Sequence, residues 1–434
     1  MEKVSFFEKT FKLKKHDTNI KTEIMAGITT FMTMSYILAV NPQILSESGM
    51  DYGAVFSATI LASIIAMLLM GFYANLPFGL SAGMGLNAFF TYTVVMKMGH
   101  PWQFALTAVF FEGILFMILS LFGVREAIFN SIPSTLKKAV SVGIGLFIAE
   151  IGLLNAGIIE KAEPALSLGN ISSKESIVFF FALIVMVVLT TRKVKGALLW
   201  GILVSTILSL ILGVTGLPEG SLVSLPPSIS PIAFKLDFSN VFSLEMFSVL
   251  FSFLFVDLFD TLGTLTGVAT KAKMLDENGN LENASKALLA DAVGTTCGAL
   301  LGTSTVTTFV ESSAGVAEGG RTGLTALACA GCFAIAAFFF PVFSLIPSQA
   351  TSAALVVVGL FMLSTVVEIN FGDITESFPA FMTILMMPLA YSIAEGIAFG
   401  MISFVLIKVL TGKYKEVSWV MYVLAIIFLI RYMI

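Results

Sequence analysis

Charged side chains are scarce in this chain of 434 residues. They make up 12% of it, while 57% of the residues are hydrophobic and the mean hydropathy is +0.96. A soluble chain of this length carries about twice that share of charge, roughly 25%. So few charges cannot cover the surface of soluble domains with water-compatible groups. The composition therefore excludes a soluble enzyme and a secreted scaffold, and it predicts a polytopic membrane protein.

Metal-ligating and basic residues are also few. The chain contains two His and three Cys, and its net charge is −4. These numbers are too small for a zinc cluster or a disulfide framework, and they leave no basic surface for nucleic acid. The Gly-rich segment 319–323 lacks the Gly-Lys-Ser/Thr of a phosphate-binding loop. We therefore expect no metal, no cofactor, no nucleic-acid partner and no drive by ATP.

What the chain has instead is a series of long hydrophobic runs. A transmembrane helix needs roughly 20 apolar residues, so each run of about that length predicts a span of the lipid bilayer. The runs cover 23–41, 54–73, 102–122, 135–153, 176–191, 196–214, 246–266, 284–302, 322–342, 349–367, 378–393, 394–411 and 417–433. Two further segments, 78–98 and 304–320, are hydrophobic but rich in Gly, Ser, Thr and Asn. The sequence thus predicts an all-α membrane protein with 14 or 15 spans.

The distribution of basic residues predicts the orientation. Segment 1–22 carries six Lys and no signal-peptide pattern. It is expected to be a cytoplasmic lead-in, either resting on the membrane through its three Phe or extending into solvent as a basic tail. The loops after spans four, six and eight, which carry Arg125, Arg192 and Lys271, then also face the cytoplasm. We expect a multi-pass protein of the cell (inner) membrane with a cytoplasmic N-terminus.

Short sequence echoes predict an internal repeat. Segments 133–145 and 347–359 both follow Ile, begin with Pro-Ser and end with Gly, and Ser-Ala-Gly occurs at both 81–83 and 313–315. With about seven spans in each repeat, the second copy must enter the membrane from the opposite side. This pattern is typical of secondary transporters.

Two segments break the rules of a membrane helix. Segment 76–90 holds Pro and several Gly that deny a continuous helix up to about Gly85, and segment 302–315 alternates in a strand-like manner before Ser312 and Ser313, which we expect to cap a half-helix. Irregular backbone at membrane depth is tolerated only where protein or a cavity covers it. Two short strands crossing at the midplane would aim two helix N-termini at one polar or weakly anionic solute. Close helix packing through small residues is the alternative.

Several acids lie within the predicted spans, where an ionisable residue is costly and is by default a functional candidate. They are Glu112, Glu150, Asp257, Asp260 and Asp291, joined by Glu311 in the second broken segment. Asp257 and Asp260 are three residues apart and share a helix face. The predicted spans offer these acids no basic partner, so one of them could carry a proton during part of a transport cycle. A purely structural carboxyl that is hydrogen-bonded to the backbone is the alternative.

Three motifs together resemble one family. They are AGMGLNAFF at 82–90, DLFDTLGT at 257–264 and TTFVESSAG at 307–315, and the first span, MAGITTFMTMSY at 25–36, adds to them. The chain resembles the AzgA-like hypoxanthine/guanine/adenine permeases, a branch of the nucleobase/ascorbate transporter superfamily. The resemblance covers nearly the whole chain.

The resemblance implies 14 spans in a seven-plus-seven inverted repeat, with a core domain that moves against a gate domain and a short strand in each of spans three and ten. The implied division is a lead-in 1–22, a core formed by 23–122 and 246–342, and a gate formed by 135–214 and 349–434. The last apolar run, 417–433, fits this plan poorly.

The resemblance also implies the site. Asp260 takes the acid position of span eight, Glu311 that of span ten and Asn87 the polar position of span three, while Thr264 and Ser312 replace a His and an Asn of the uracil branch. A carboxylate can accept two N–H groups of a flat purine, an amide can pair with another edge, and an aromatic ring can stack on its face. The implied substrate-binding residues are Asn87, Phe89, Asp260, Thr264, Phe309, Glu311 and Ser312. The proton-coupling candidates are Asp257, Asp260, Asp291 and Glu311.

The expected function is therefore import of purine nucleobases (hypoxanthine, guanine, adenine) by proton symport with alternating access, and not catalysis. Sodium in place of the proton and a homodimer both stay open. One rival is an anion exchanger or channel of the same fold, which would place a basic residue in the site, with Arg321 as its candidate. An intramembrane aspartyl protease is a weaker rival, because its Tyr-Asp and Gly-x-Gly-Asp motifs are absent.

Overall fold

The computed structural model describes residues 6–122, 124–161, 166–216, 220–272, 274–275 and 281–433. The first five residues of the predicted lead-in and Lys273 of a predicted cytoplasmic loop lie outside the described residues. The described chain is mostly helical, as the long apolar runs predict.

The elements of the first half end before a long irregular connection. In chain order they are α1 (Phe6–Phe11), α2 (Ile20–Met34), α3 (Ile37–Ser46), α4 (Tyr52–Leu69), β1 (Leu80–Ala82), α5 (Met84–Ala88), α6 (Trp102–Leu121), α7 (Val124–Ser131), α8 (Ser134–Asn155), β2 (Ile159–Lys161), β3 (Leu166–Leu168), α9 (Lys174–Thr191) and α10 (Ala197–Leu212). A π-helical segment, Phe89–Lys97, continues α5, and another, Met70–Ala74, continues α4.

The second half begins with the longest helix. Its elements are α11 (Leu244–Lys271), α12 (Ala284–Leu301), β4 (Val306–Thr308), α13 (Ser312–Ala317), α14 (Gly323–Ala336), α15 (Phe340–Phe343), α16 (Ser348–Leu363), α17 (Ile374–Leu389), α18 (Ile393–Leu410) and α19 (Trp419–Met433). Several helices start where a polar side chain accepts a hydrogen bond from a free backbone N–H of the first turn, as Asp51 does for α4 and Ser243 for α11.

The long apolar helices agree with the predicted spans. Within the described residues, nine helices are long and apolar enough to cross a membrane, and three shorter apolar helices lie at Ala197–Leu212, Ile374–Leu389 and Trp419–Ile430. Together with α12 and the two broken segments, they account for every predicted span. The helix α19 is the segment in excess of the 14-span plan.

The two broken segments meet as a small antiparallel sheet. Strand β1 pairs with β4 in the register Leu80–Thr308, Ser81–Thr307 and Ala82–Val306, and every residue of both strands is buried. Gly83 N donates to Thr305 O at 3.0 Å and extends the ladder at one end. The expectation of two short strands followed by half-helices is confirmed, although α5 starts at Met84, slightly before the predicted position.

Helices from both halves of the chain pack on one another. In the stretches predicted as core, α12 packs on α4 and α6, and α14 packs on α2. In the stretches predicted as gate, α8 packs on α16 and α17, and α9 packs on α16. Each half of the chain therefore supplies helices to both sets, and the relative movement of the two sets stays a prediction.

One sequence echo has a direct structural meaning. Pro133 and Pro347 each precede a helix, α8 and α16, and Gly145 and Gly359 meet where these helices cross. A Cβ added to Gly145 would lie 2.7 Å from the carbonyl oxygen of Gly359. The second echo is wrong as a mark of equivalent positions, because 81–83 lies at strand β1 while 313–315 lies in helix α13.

We expect Gly145→Ala to lower the thermal unfolding temperature of the detergent-solubilised protein. Its methyl group would collide with backbone, and overpacking of this kind costs about 1–3 kcal/mol. Gly331→Ala in α14 is the matched control, because among the described residues no atom lies within 4 Å of its added Cβ. The control should be as stable as the unsubstituted protein or slightly more so, since Ala favours a helix over Gly by about 1 kcal/mol. Equal melting of the two variants would contradict the close glycine contact.

The lead-in is docked on the protein. Phe11 and Leu13 are buried against Leu324, and Asn75 Nδ2 donates to Phe11 O at 3.2 Å. Phe6, by contrast, is 67% exposed. The expectation that all three Phe rest on the membrane is therefore wrong for Phe11, and a fully solvated tail does not describe this segment either.

Candidate functional site

The first acid of the predicted site lies where α11 passes the end of β1. A Cβ added to Gly83, between β1 and α5, would lie 3.3 Å from Asp260 Oδ2. Gly83 has an ordinary backbone conformation, φ −74°, so its missing side chain matters for space and not for strain. It allows the N-terminus of α5 to approach the Asp260 carboxylate.

The second acid stands at the equivalent end of β4. Glu311 immediately precedes α13, and its Oε1 accepts a hydrogen bond of 2.6 Å from the hydroxyl of Tyr36. Tyr36 is fully buried at the break between α2 and α3. Asp260 is close enough to Glu311 and Tyr36 to interact with both electrostatically. The structure thus brings the two predicted acids, 51 residues apart in the chain, into one polar centre.

Ser312 has a different role from the expected helix cap. Its hydroxyl accepts a hydrogen bond from Gly79 N at 2.9 Å, while Gly79 O accepts one from Phe309 N at 3.0 Å. In the described part of the chain, no side chain caps α13, whose N-cap residue is Glu311. Ser312 therefore ties the two broken segments together beside Glu311.

Asn87 is buried on α5, one turn after Gly83. Its Oδ1 accepts a hydrogen bond from the Ser304 hydroxyl, and its Nδ2 has no hydrogen-bond partner among the described residues. A buried donor without a partner costs about 1–3 kcal/mol. Such a group is a suitable donor for a ligand that binds transiently.

The predicted aromatic and hydroxyl residues differ in how deeply they are buried. Phe89 is buried edge-to-face against Phe253, with ring centroids 4.9 Å apart, and Phe309 is buried beside β4. Thr264 is partly exposed one turn beyond Asp260. Stacking by Phe89 or Phe309 on a substrate stays a prediction.

One face of α11 is open beside Asp260. Gly263 and Gly267 are exposed, and among the described residues no atom lies within 4 Å of a Cβ added to either. They follow Asp260 at helical spacing, so they line one stripe that leads from the acid towards the C-terminal end of α11. The next segment, at Glu282, contacts Lys15 of the lead-in. The exposed stripe of α11 therefore runs from Asp260 towards the side of the molecule that carries the lead-in.

Arg125 corrects the expectation that the buried acids have no basic partner. It is fully buried on α7, and its Nη2 lies 2.9 Å from Asp257 Oδ2 and 3.0 Å from Asp291 Oδ2. Its guanidinium also lies 3.8 Å from the ring centroid of Phe116. Asp257 and Asp291 thus have a counter-ion, and their part in proton coupling stays a prediction. The positive-inside rule placed Arg125 in a loop. The sequence shows no sign of its partners, because both acids are more than a hundred residues away in the chain.

Hydrogen bonds join this ion cluster to the sheet. Thr261 Oγ1 lies 2.8 Å from Asp257 Oδ1, 3.2 Å from Asp291 Oδ1 and 2.7 Å from the hydroxyl of Thr307 in β4. Glu112 Oε2 accepts a bond of 2.6 Å from Thr305. The cluster therefore contacts β4, the strand that precedes Glu311.

We expect Arg125→Gln to destabilise the protein strongly, because removing one partner of a buried ion pair costs about 3–5 kcal/mol. Adding Asp291→Asn to Arg125→Gln should recover part of the loss, since one unpaired charge disappears. Thermal unfolding and the yield of monodisperse protein measure both effects. The exposed Arg192 provides the control: Arg192→Gln should stay within about 0.5 kcal/mol of the unsubstituted protein. Similar losses at Arg125 and Arg192 would contradict the cluster.

Long apolar helices from two halves of a chain, with two broken segments that meet at buried polar groups, are the features of membrane transporter folds built from inverted repeats. The chain belongs to the permease family, because the family model for xanthine/uracil permeases matches residues 21–399. It is a multi-pass membrane protein and not an enzyme.

Full-length relatives are similar to the chain. It is 51% identical to the permease MJ0326 of Methanocaldococcus jannaschii over 99% of this chain and 98% of that protein. It is 44% identical to the guanine/hypoxanthine permease PbuO of Bacillus subtilis (97% and 99%) and 41% identical to the adenine permease AdeP of Escherichia coli (98% and 95%).

Solved structures share the fold. The transmembrane domain of the cyanobacterial bicarbonate transporter BicA matches with a TM-score of 0.67 at 16% identity, over 89% of this chain and 98% of that one. SLC26A9 matches with a TM-score of 0.66 at 13% identity, over 94% of this chain and 67% of that one. At this identity, the likeness concerns the fold alone.

Proposed function

We propose that the protein imports purine nucleobases by proton symport. The observation that carries this proposal is the polar centre formed by Asp260 and Glu311 at the ends of the two paired strands. The similarity to PbuO, a guanine/hypoxanthine permease, and to AdeP, an adenine permease, supports the substrate class.

The chemistry of the centre suits a purine. A purine base is flat and neutral, and its edges alternate donors and acceptors. In the proposal, the Asp260 carboxylate accepts two neighbouring N–H groups, and the unpaired Asn87 Nδ2 donates to a ring nitrogen or an exocyclic oxygen. Thr264 lies on the same helix at the open side, where it contacts the base as it enters or leaves.

Proton coupling is assigned to Glu311. Tyr36 donates a hydrogen bond to its carboxylate and stabilises the charged form. A proton that binds Glu311 therefore competes with this hydrogen bond. In the proposal, Glu311 is protonated while the base binds and releases its proton on the opposite side. In the proposal, the exposed stripe at Gly263 and Gly267 is the route by which the base leaves towards the lead-in, the cytoplasmic side in the predicted orientation. The set of helices that includes α8 and α16 then moves against the rest to open the other side.

Among the described residues, no basic side chain forms an ion pair with Asp260 or Glu311, which disfavours the rival function, an anion carrier. Arg321, its candidate, donates from Nη1 to Val316 O and Gly320 O at 2.7 Å each and lines a different cavity, next to the lead-in. Two acids beside each other would repel sulfate or bicarbonate. The described contacts therefore favour a neutral solute.

Uptake into proteoliposomes tests the proposal. Labelled hypoxanthine, guanine and adenine should accumulate when the outside is more acidic, and a protonophore should abolish accumulation. A sodium gradient at equal pH separates sodium coupling from proton coupling. Excess unlabelled purine should compete, whereas sulfate and bicarbonate should not. Accumulation of an anion in place of the purines would overturn the proposal.

A further inference from the structure

A cavity lies at the side of the molecule that carries the lead-in, and Asp260 is not part of its lining. Its volume is about 340 Å³. It is enclosed by the lead-in, by the end of the π-helical extension of α4, by the start of α12 and by the segment before α14. Nothing in the transport cycle proposed above uses it.

Positive charge from separate segments converges on this cavity. Lys12 and Lys15 come from the lead-in, Lys286 from the first turn of α12, and Arg321 from the segment that precedes α14. Among the described lining residues, Glu282 is the single carboxylate, and it lies 3.2 Å from Lys15 Nζ. The described lining therefore keeps a clear excess of positive charge, which attracts an anion.

The cations are held in place by the fold. Arg321 is anchored by its two bonds from Nη1 to backbone carbonyls, which leave its other N–H groups available to a ligand. Lys286 Nζ lies 5.6 Å from the ring centroid of Tyr73. Lys12 has a left-handed backbone conformation, φ 54°, at the turn that follows the buried Phe11. A docked lead-in fixes the positions of Lys12 and Lys15 before any ligand binds, and such preorganisation favours binding.

Exposed apolar side chains stand beside the cavity. Phe72 is 54% exposed and Tyr73 is 49% exposed, and both belong to the end of a membrane-spanning helix. Phe6 on α1 does not line the cavity but is likewise exposed on the lead-in. Aromatic residues at the end of a span mark the level of the lipid headgroups. Basic pockets between helices at that level are suited to anionic headgroups.

We propose that this cavity binds the phosphate group of an anionic phospholipid, which joins the lead-in to the core helices α4 and α12. The ligand chemistry is a phosphate flanked by acyl chains: Lys12, Lys15, Lys286 and Arg321 contact the phosphate, and Phe6, Phe72 and Tyr73 contact the chains. Binding is expected to stabilise the docked lead-in.

Thermal unfolding of the purified full chain tests this site. Dioleoylphosphatidylglycerol added to the detergent solution should raise the unfolding temperature, whereas dioleoylphosphatidylcholine and inorganic phosphate should not. The triple variant Lys12→Gln, Lys15→Gln, Lys286→Gln should lose the shift. The matched control is Lys9→Gln, Lys14→Gln, Lys21→Gln, which removes the same total charge, all of it from the lead-in, but spares the cavity, and it should keep the shift.

The other outcomes are decisive as well. An equal shift from inorganic phosphate alone would show a soluble anion as the ligand and overturn the lipid assignment. Loss of the shift in both triple variants would indicate diffuse surface attraction and overturn the site. If the cavity variant fails to fold, the single variants Lys286→Gln and Lys21→Gln are compared instead. Native mass spectrometry then measures how much phosphatidylglycerol each variant retains. Equal retention by the two would overturn the site. Nucleobase uptake is not the readout, so the result is independent of the proposed function.

Discussion

Asp260→Asn is expected to remove purine uptake almost completely. The substitution keeps the shape of the side chain but replaces a carboxylate, which accepts two N–H groups, by an amide with one acceptor and one donor. A hydrogen bond to a charged group contributes about 1.5–3 kcal/mol, which corresponds to about a 10- to 150-fold loss in affinity. Initial uptake rates of labelled hypoxanthine and adenine in proteoliposomes, together with equilibrium binding of the same bases, measure the effect.

Ser252→Ala is the control for Asp260→Asn. Ser252 lies on the same helix, and its hydroxyl donates only within that helix, to Ser248 O at 2.8 Å. Its loss should leave uptake and binding unchanged, while both variants should melt at similar temperatures. Wild-type binding by a well-folded Asp260→Asn would remove Asp260 from the proposed site.

Glu311→Gln should separate substrate binding from proton coupling. The amide oxygen of Gln can still accept the hydrogen bond from Tyr36, so the local packing is retained, but the side chain can no longer gain and lose a proton. We expect uphill uptake driven by a pH gradient to disappear, whereas exchange of labelled for unlabelled base across the membrane continues. Counterflow and gradient-driven uptake on the same vesicles measure the two activities.

Tyr36→Phe and Ser313→Ala complete this series. Tyr36→Phe removes the donor to Glu311 and should shift the pH at which gradient-driven uptake is half-maximal, while uptake persists. Ser313 is the neighbour of Ser312 on α13, and its substitution should leave both activities intact. If Glu311→Gln still accumulates base against a gradient, the coupling group has to be sought elsewhere, with Asp291 as the next candidate.

The relation between sequence and structure differs between the site and its surroundings. The strand segments, the positions of Asp260 and Glu311, and the helical spans follow from local patterns: length of apolar runs, Gly-rich interruptions and acids in hydrophobic surroundings. Tyr36 is the last residue of the first-span motif at 25–36. Nothing in the sequence marked it as part of the site, because a Tyr in a hydrophobic run most often packs in the core. Its role depends on the direction of its hydroxyl at the break between α2 and α3.

Arg125 shows where sequence reasoning fails. A basic residue in a predicted loop is expected to stay in water, since burial of a charge is costly. Here Asp257 and Asp291 offset that cost, but they belong to α11 and α12 in the second half of the sequence. No local window contains the three residues together. Likewise, Ser312 has the sequence context of a helix cap, and only the approach of Gly79 decides that its hydroxyl binds the other broken segment.

The sequence by itself determined that the chain spans a membrane many times, that it repeats, and which acids stand in apolar surroundings, because these properties depend on the solvent each residue prefers and on short-range backbone chemistry. The tertiary structure alone decided which buried charges neutralise one another, how the lead-in docks, and that Gly145 meets Gly359 at the crossing of α8 and α16. Those outcomes depend on contacts between segments far apart in the chain, and such contacts form only when the helices pack.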